Sequence, residues 1–127
     1  MEKKLKKLLE NSYCPYSNFM VSSIVVMRDG KEFSGVNVEN ASYGATLCAE
    51  RNAITAAVTK GYQKGDFKEL HIMTAGDIST CCFVCRQVIV EFFESTAKII
   101  CYNKNGEKKI FTVKELCPYP FDGSDLE

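Results

Sequence analysis

Cys48-Ala49-Glu50 and, further along, Cys82-Phe83-Val84-Cys85 hold residue types that can do chemistry together. Three soft sulfur donors suit one metal ion, and three protein ligands leave a tetrahedral zinc with one open position. A carboxylate beside that position, not itself a ligand, can move protons. The combination points to hydrolysis. Cys82 and Cys85 stand three apart at an expected helix start, so both thiols can face the same way. Cys48 also opens a helix. Unpaired N–H groups and partial positive charge at both helix starts favour thiolate over thiol.

Each residue also has a plainer reading. A lone Cys-x-x-Cys can be a redox pair or an accident, but that leaves Cys48 and Glu50 unexplained. Cys81 is an alternative to Cys82, because an i,i+4 pair can also share a helix face and spacing alone does not exclude it; Cys82 is the expected ligand. Glu50 can simply complement the helix dipole from the first turn. Arg51 is either a solvated charge or a guanidinium that offsets the thiolates and orients the sulfurs. Asn37 and Glu39 project from one face near a strand end, where they either bind a diol or form a polar edge. Phe19 and Phe121 fit a core. His71, the single histidine, falls in an expected strand and reads as a packing residue. Cys14, Cys101 and Cys117 lack metal-like spacing and read as small hydrophobes.

The elements that must position these residues follow from periodicity. Leu5, Leu8 and Leu9 among lysines predict an amphipathic first helix. Val21 to Met27 and Phe33 to Glu39 read as strands joined through Asp29-Gly30, a hairpin signal. From Cys48, the repeat of Ala49, Ala53 and Ala57, with Ile54 and Val58 one step on, predicts a helix that lies close on a sheet. Leu70 to Ala75 is a strand. Val84, Val88 and Phe92, with Ile89 and Phe93, predict another helix. Lys98 to Tyr102 and Ile110 to Val113 are strands with Asn105-Gly106 between them, a second hairpin. The order implies a three-layer α/β/α sandwich with a mixed sheet of about five strands. Helix starts at the carboxyl ends of its strands are a natural site.

The chain has 127 residues, which fits one domain spanning 1–127 with a real core. Its 16 basic and 16 acidic side chains cancel, so no nucleic acid partner is expected. Met1 to Leu9 is charged and lacks the apolar stretch of a signal peptide. No apolar run is long enough to span a bilayer, so no membrane is expected. The seven cysteines then read as reduced thiols of a cytoplasmic protein, clustered for metal or catalysis.

Asn37-Val-Glu-Asn-Ala-Ser-Tyr43, Cys48-Ala-Glu-Arg51 and Cys82-x-x-Cys85-Arg-Gln87 together resemble the small homotetrameric cytidine deaminases of pyrimidine salvage. Pro15-Tyr-Ser-Asn-Phe19 and Leu116-Cys-Pro-Tyr-Pro-Phe121 extend the resemblance, which runs from about Tyr13 to Leu126. It implies hydrolysis of cytidine and deoxycytidine to uridine and deoxyuridine, with one Zn²⁺ per subunit on Cys48, Cys82 and Cys85. Glu50 would shuttle protons. Asn37 and Glu39 would hold the ribose, Phe19 would pack on the pyrimidine, the N–H of Ala49 would meet the base carbonyl, and the carbonyl of Thr80 would face the leaving amino group. Residues equivalent to Ala41, Tyr43 and Phe121 reach a neighbouring subunit's site in similar enzymes, so the resemblance implies a homotetramer with shared sites. Its partner would be a small pyrimidine nucleoside.

The chain departs from the pattern in places. Cys81 replaces a usual proline and Phe83 a usual glycine beside the metal loop, which changes stiffness and bulk there. Ser22-Ser23 stand where Gly-Ala is usual. Rival readings are a deaminase for another aminopyrimidine such as blasticidin S, a polynucleotide deaminase, and a zinc-stabilised binding protein. The last requires a fourth protein ligand, Cys81 or His71.

Overall fold

The structure, a computed structural model, describes residues 1–126. Its elements follow in the order α1 (Glu2–Leu9), β1 (Val21–Met27), β2 (Glu32–Val36), α2 (Ala49–Thr59), β3 (Phe67–Thr74), α3 (Phe83–Phe92), β4 (Phe93–Tyr102), β5 (Lys108–Thr112) and α4 (Val113–Leu116). The strands form one five-stranded sheet in the order β2-β1-β3-β4-β5. Only β3 and β4 run parallel; the other neighbours are antiparallel. The sheet is therefore mixed, as expected. Both hairpins turn on glycines in the left-handed region, Gly30 at φ 89° and Gly106 at φ 87°.

Helices cover both faces. On one, Leu5 and Leu9 of α1 pack on Ile24, Met73, Ile100 and Tyr102. On the other, α2 and α3 close over Val25, Leu70, Ile72 and Ile99. The adjacent serines of β1 point to opposite faces and each fastens a helix. Ser22 Oγ donates to Leu5 O at 2.8 Å, while Ser23 Oγ donates to Ala49 O at 2.7 Å. Both hydroxyls are fully buried and satisfied, which removes the penalty of a polar group in a core. Gly35 of β2 brings the backbones closer still: a Cβ there would stand 2.4 Å from Ala49 O.

Several expectations need correction. Phe93 does not end α3; it opens β4 and pairs with Phe67 of β3. A buried strand and a buried helix end have the same apolar look. The inward stripe of α3 is Cys85 and Ile89, and Val84 faces outward, 58% exposed. Val58 of α2 also lies at the surface. Cys101 is buried as a small hydrophobe, whereas Cys14 and Cys117 are only half-buried. A short helix, α4, goes beyond the expected elements. Its start is a capping box in which Thr112 Oγ1 accepts from Glu115 N and Glu115 accepts from Thr112 N.

His71 sits among packing residues. Its Nδ1 lies 2.8 Å from Tyr102 Oη and its Nε2 2.9 Å from Glu69 Oε1, so both ring nitrogens are occupied within the sheet.

Candidate active site

The starts of α2 and α3 converge. Cys48 is the N-cap of α2 and Cys82 the N-cap of α3; Cys85 lies one turn into α3 and donates its N–H to Cys82 Sγ at 3.5 Å. The three sulfurs lie within 4.8 Å of one another, and those of Cys48 and Cys82 are 3.9 Å apart. Zn–S bonds of about 2.3 Å in a tetrahedron require sulfurs about 3.8 Å apart, so this donor set fits zinc. Cys81, the alternative ligand, is buried in the core and is not part of the trio.

The electrostatics favour a metal cation. The Cys85 thiol, bonded to Cys48, pushes the Cys48 thiol down to about 5, and Arg51 and Cys82 push the same way. The Cys85 thiol is held well above its usual range by that hydrogen bond and by burial. The surroundings of Cys48 thus favour its thiolate form. Arg51 stands beside it, donating from Nη2 to Cys48 Sγ at 3.5 Å and to Thr46 O at 3.1 Å. Its Nε is buried without a partner among the described residues. Arg51 is therefore a neighbour of the thiolates and not a solvated charge.

A cavity of about 400 Å³ opens beside the sulfurs. Cys48, Ala49, Glu50, Thr80 and Cys82 line it together with Phe19, Asn37 and Glu39. Residues named from widely separated stretches of sequence thus share one chamber. Ile72 and Thr74, at the carboxyl end of β3, also line it. No lysine or arginine lines it among the described residues. Glu50 is only 5% exposed, and burial holds its carboxyl above the usual range, with the Cys48 charge adding to the shift. A proton carrier benefits from that direction. A larger open cleft of about 820 Å³ lies elsewhere, by Arg28, Lys31 and Tyr62, but among the described residues it brings together no metal-ligating cluster.

Part of the lining is built from a short loop. Asn18 adopts φ 57°, which folds Tyr16–Phe19 back over Glu39. Glu39 Oε1 accepts from the N–H groups of Tyr16 and Ser17 at 3.0 and 3.1 Å, and Oε2 accepts from Ser17 Oγ. The Ser17 hydroxyl bond, foremost among these, holds the Glu39 carboxyl below its usual range. Ser17 Oγ in turn accepts from Phe19 N at 3.0 Å. Asn37 is similarly engaged: Nδ2 donates to Phe19 O at 2.7 Å and Oδ1 accepts from Val21 N at 3.0 Å. Sequence reasoning missed Ser17, although Pro-Tyr-Ser-Asn is a turn signal that could have found it. It also missed Ser23, whose hydroxyl bonds the Ala49 carbonyl.

Ala41, Tyr43 and Phe121 do not line this cavity within the chain. Tyr43 is 79% exposed, and Phe121 is tied by its carbonyl to Gln87 Nε2.

Residues 1–103 match the family described as the cytidine and deoxycytidylate deaminase zinc-binding region. The chain belongs to this family. The site therefore has zinc as its cofactor, with Cys48, Cys82 and Cys85 positioned to hold it. Among curated relatives, a cytidine deaminase of Mycoplasma genitalium is 36% identical over 114 residues, 90% of this chain and 87% of the relative. One from Sporosarcina psychrophila is 39% identical over 123 residues, 95% and 88% of the two chains. The crystal structure of a cytidine deaminase from Burkholderia pseudomallei superposes with a TM-score of 0.89 at 38% identity, covering 94% of each chain. No helix among the described residues is long and apolar enough to cross a membrane.

Proposed function

We propose that the protein is a cytidine deaminase that hydrolyses cytidine and deoxycytidine to uridine and deoxyuridine, releasing ammonia, in pyrimidine salvage. The observation that carries this reading is the buried Glu50 carboxylate in one chamber with the Cys48 and Cys82 sulfurs. When bound, zinc supplies Lewis acidity that makes a hydroxide-like nucleophile available at neutral pH. Glu50 accepts a proton from the attacking water and passes it to N3 of the base as C4 becomes tetrahedral. It then takes the proton of the new C4 hydroxyl and delivers it to the exocyclic nitrogen; the C4–N bond breaks, the C4 carbonyl forms and ammonia leaves. The balance is one water consumed and one ammonia released.

The remaining residues hold the nucleoside. Ala49, at the first turn of α2, offers its N–H to the base carbonyl; Phe19 packs on the ring. Glu39, its carboxyl held below the usual range by Ser17, and Asn37 hold the ribose hydroxyls. A lining with Glu39 and, among the described residues, no lysine or arginine disfavours a phosphate, so the nucleoside is preferred to its 5′-phosphate. The Thr80 carbonyl accepts from the departing amino group. We place all 127 residues in one domain, acting in the cytoplasm as a homotetramer in which Ala41, Tyr43 and Phe121 complete neighbouring sites. A closed structural metal site fits less well, since Cys81 is in the core and His71 is committed to Tyr102 and Glu69.

Loss of the cytidine absorbance on adding zinc-loaded protein tests the activity. Chelator-stripped protein should leave the absorbance unchanged, and deoxycytidylate should be turned over poorly. No turnover of cytidine at full zinc loading would refute the proposal. Light scattering on the eluting protein tests for four chains.

A further inference from the structure

Between β3 and α3 the chain passes the cavity as residues 75–82, without helix or strand. Among the described residues, no backbone group of Ile78, Ser79, Thr80 or Cys81 bonds another backbone group. Such a stretch is ordinarily loose, and Cys81 has no ring to fix its φ. Yet Thr80 and Cys82 both line the cavity and must hold position there.

One side chain supplies what the backbone lacks. Arg86 donates from Nε to Cys81 O at 2.8 Å, from Nη2 to Thr80 Oγ1 at 2.8 Å, and from Nη1 to Leu116 O at 2.7 Å. Leu116 ends α4 and packs in the main core, so the guanidinium braces the loose segment against a fixed element. The ring of Phe83 lies against it, 4.5 Å from Cζ to the ring centroid. That contact gives a role to a side chain otherwise 78% exposed. A planar fork that bonds several acceptors in its plane and stacks on a ring is a task for arginine; an ammonium cannot reproduce it.

We infer that Arg86 is a positioning residue for the deamination: sheltered by Phe83, it clamps Thr80 and Cys81 to the end of α4 and thereby sets where the Thr80 carbonyl and the Cys82 sulfur stand. Arg86 does not line the cavity, so it acts through these neighbours. The role of Thr80 rests on the cytidine deaminase reading; the hold on Cys82 does not. A contact made to the departing amino group is felt in kcat more than in KM.

The test compares zinc-loaded wild type with R86Q, R86K and F83A, the last at a surface position that folding tolerates. Zinc release to an excess of chromogenic chelator should be about 10- to 100-fold faster in both Arg86 variants. Their kcat for cytidine should fall about a hundredfold with KM near wild type, and lysine should not rescue it. F83A should release zinc about two- to fivefold faster. A folded R86Q with wild-type release and kcat would overturn the inference. If neither Arg86 variant folds, F83A decides: wild-type release overturns the clamp and faster release supports it. A wild type inert on cytidine would sink the proposed function, while the release rates would still judge the hold on Cys82.

Discussion

The two helix starts that converge at the sulfurs are held in different ways. The start of α2 is sunk against the sheet. Ala49 is fully buried, Ser23 bonds its carbonyl, Asn52 Nδ2 donates to Val36 O at 2.8 Å, and Gly35 permits near contact of backbones. The start of α3 stands in the open. Cys82 is exposed, Phe83 and Val84 face outward, and the preceding segment depends on Arg86. A metal ion bound by both starts thus joins a rigid half to an adjustable one. Defects in the packing of the first side should damage the fold, and defects in the bracing of the second should damage the site with the fold intact.

The largest effect expected is on chemistry alone. E50Q should keep zinc and the melting temperature but lose about a hundred- to ten-thousandfold in turnover. Metal analysis and calorimetry beside the absorbance assay would check it; near-normal turnover in a zinc-loaded sample would remove Glu50 from its role. G35A should show how tightly the α2 side is packed. Its Cβ would meet backbone atoms of α2, and the strain should cost about 1–3 kcal/mol in a denaturant titration. G76A, where nothing lies within 4 Å, is the control and should change stability by less than about 0.5 kcal/mol. Equal effects of the two would show that β2 can yield and that the α2 start is not rigid.

Zinc removal should separate the halves directly. In stripped protein a thiol reagent should label exposed Cys82 ahead of buried Cys85, Cys81 and Cys101. Zinc should protect Cys82. Mass spectrometry of timed samples would read this, and simultaneous labelling of all four would mean that the sheet side opens too. The smallest effect distinguishes the neighbouring serines. S22A and S23A should each lose about 1 kcal/mol. S23A, at the α2 start, should also lower kcat, whereas S22A, which holds α1 on the far face, should not.

Much of the frame was readable in advance because its signals are local. Asp29-Gly30 and Asn105-Gly106 marked both hairpins, since glycine enters the left-handed region without strain. The alanine repeat marked α2 because small side chains allow close packing on strands. The Thr112-x-x-Glu115 box was equally local and announced α4 to a closer reading. Phe93 was beyond this approach. Helix and strand both bury such a residue, and its pairing with Phe67 depends on chain 26 positions away, the difference between 93 and 67.

The sequence by itself determined the chemistry available to this protein. Sulfur donors at helix N-caps and a carboxylate two residues along are matters of residue type and short spacing, which helical geometry translates directly into direction. The tertiary structure decided which of those groups meet. It drew Cys48 to Cys82 and Cys85, committed His71 to the sheet, sent Cys81 into the core and spread Arg86 over acceptors from two other segments. Contacts between distant stretches arise from burying apolar faces against one sheet, and that packing is a property of the whole chain.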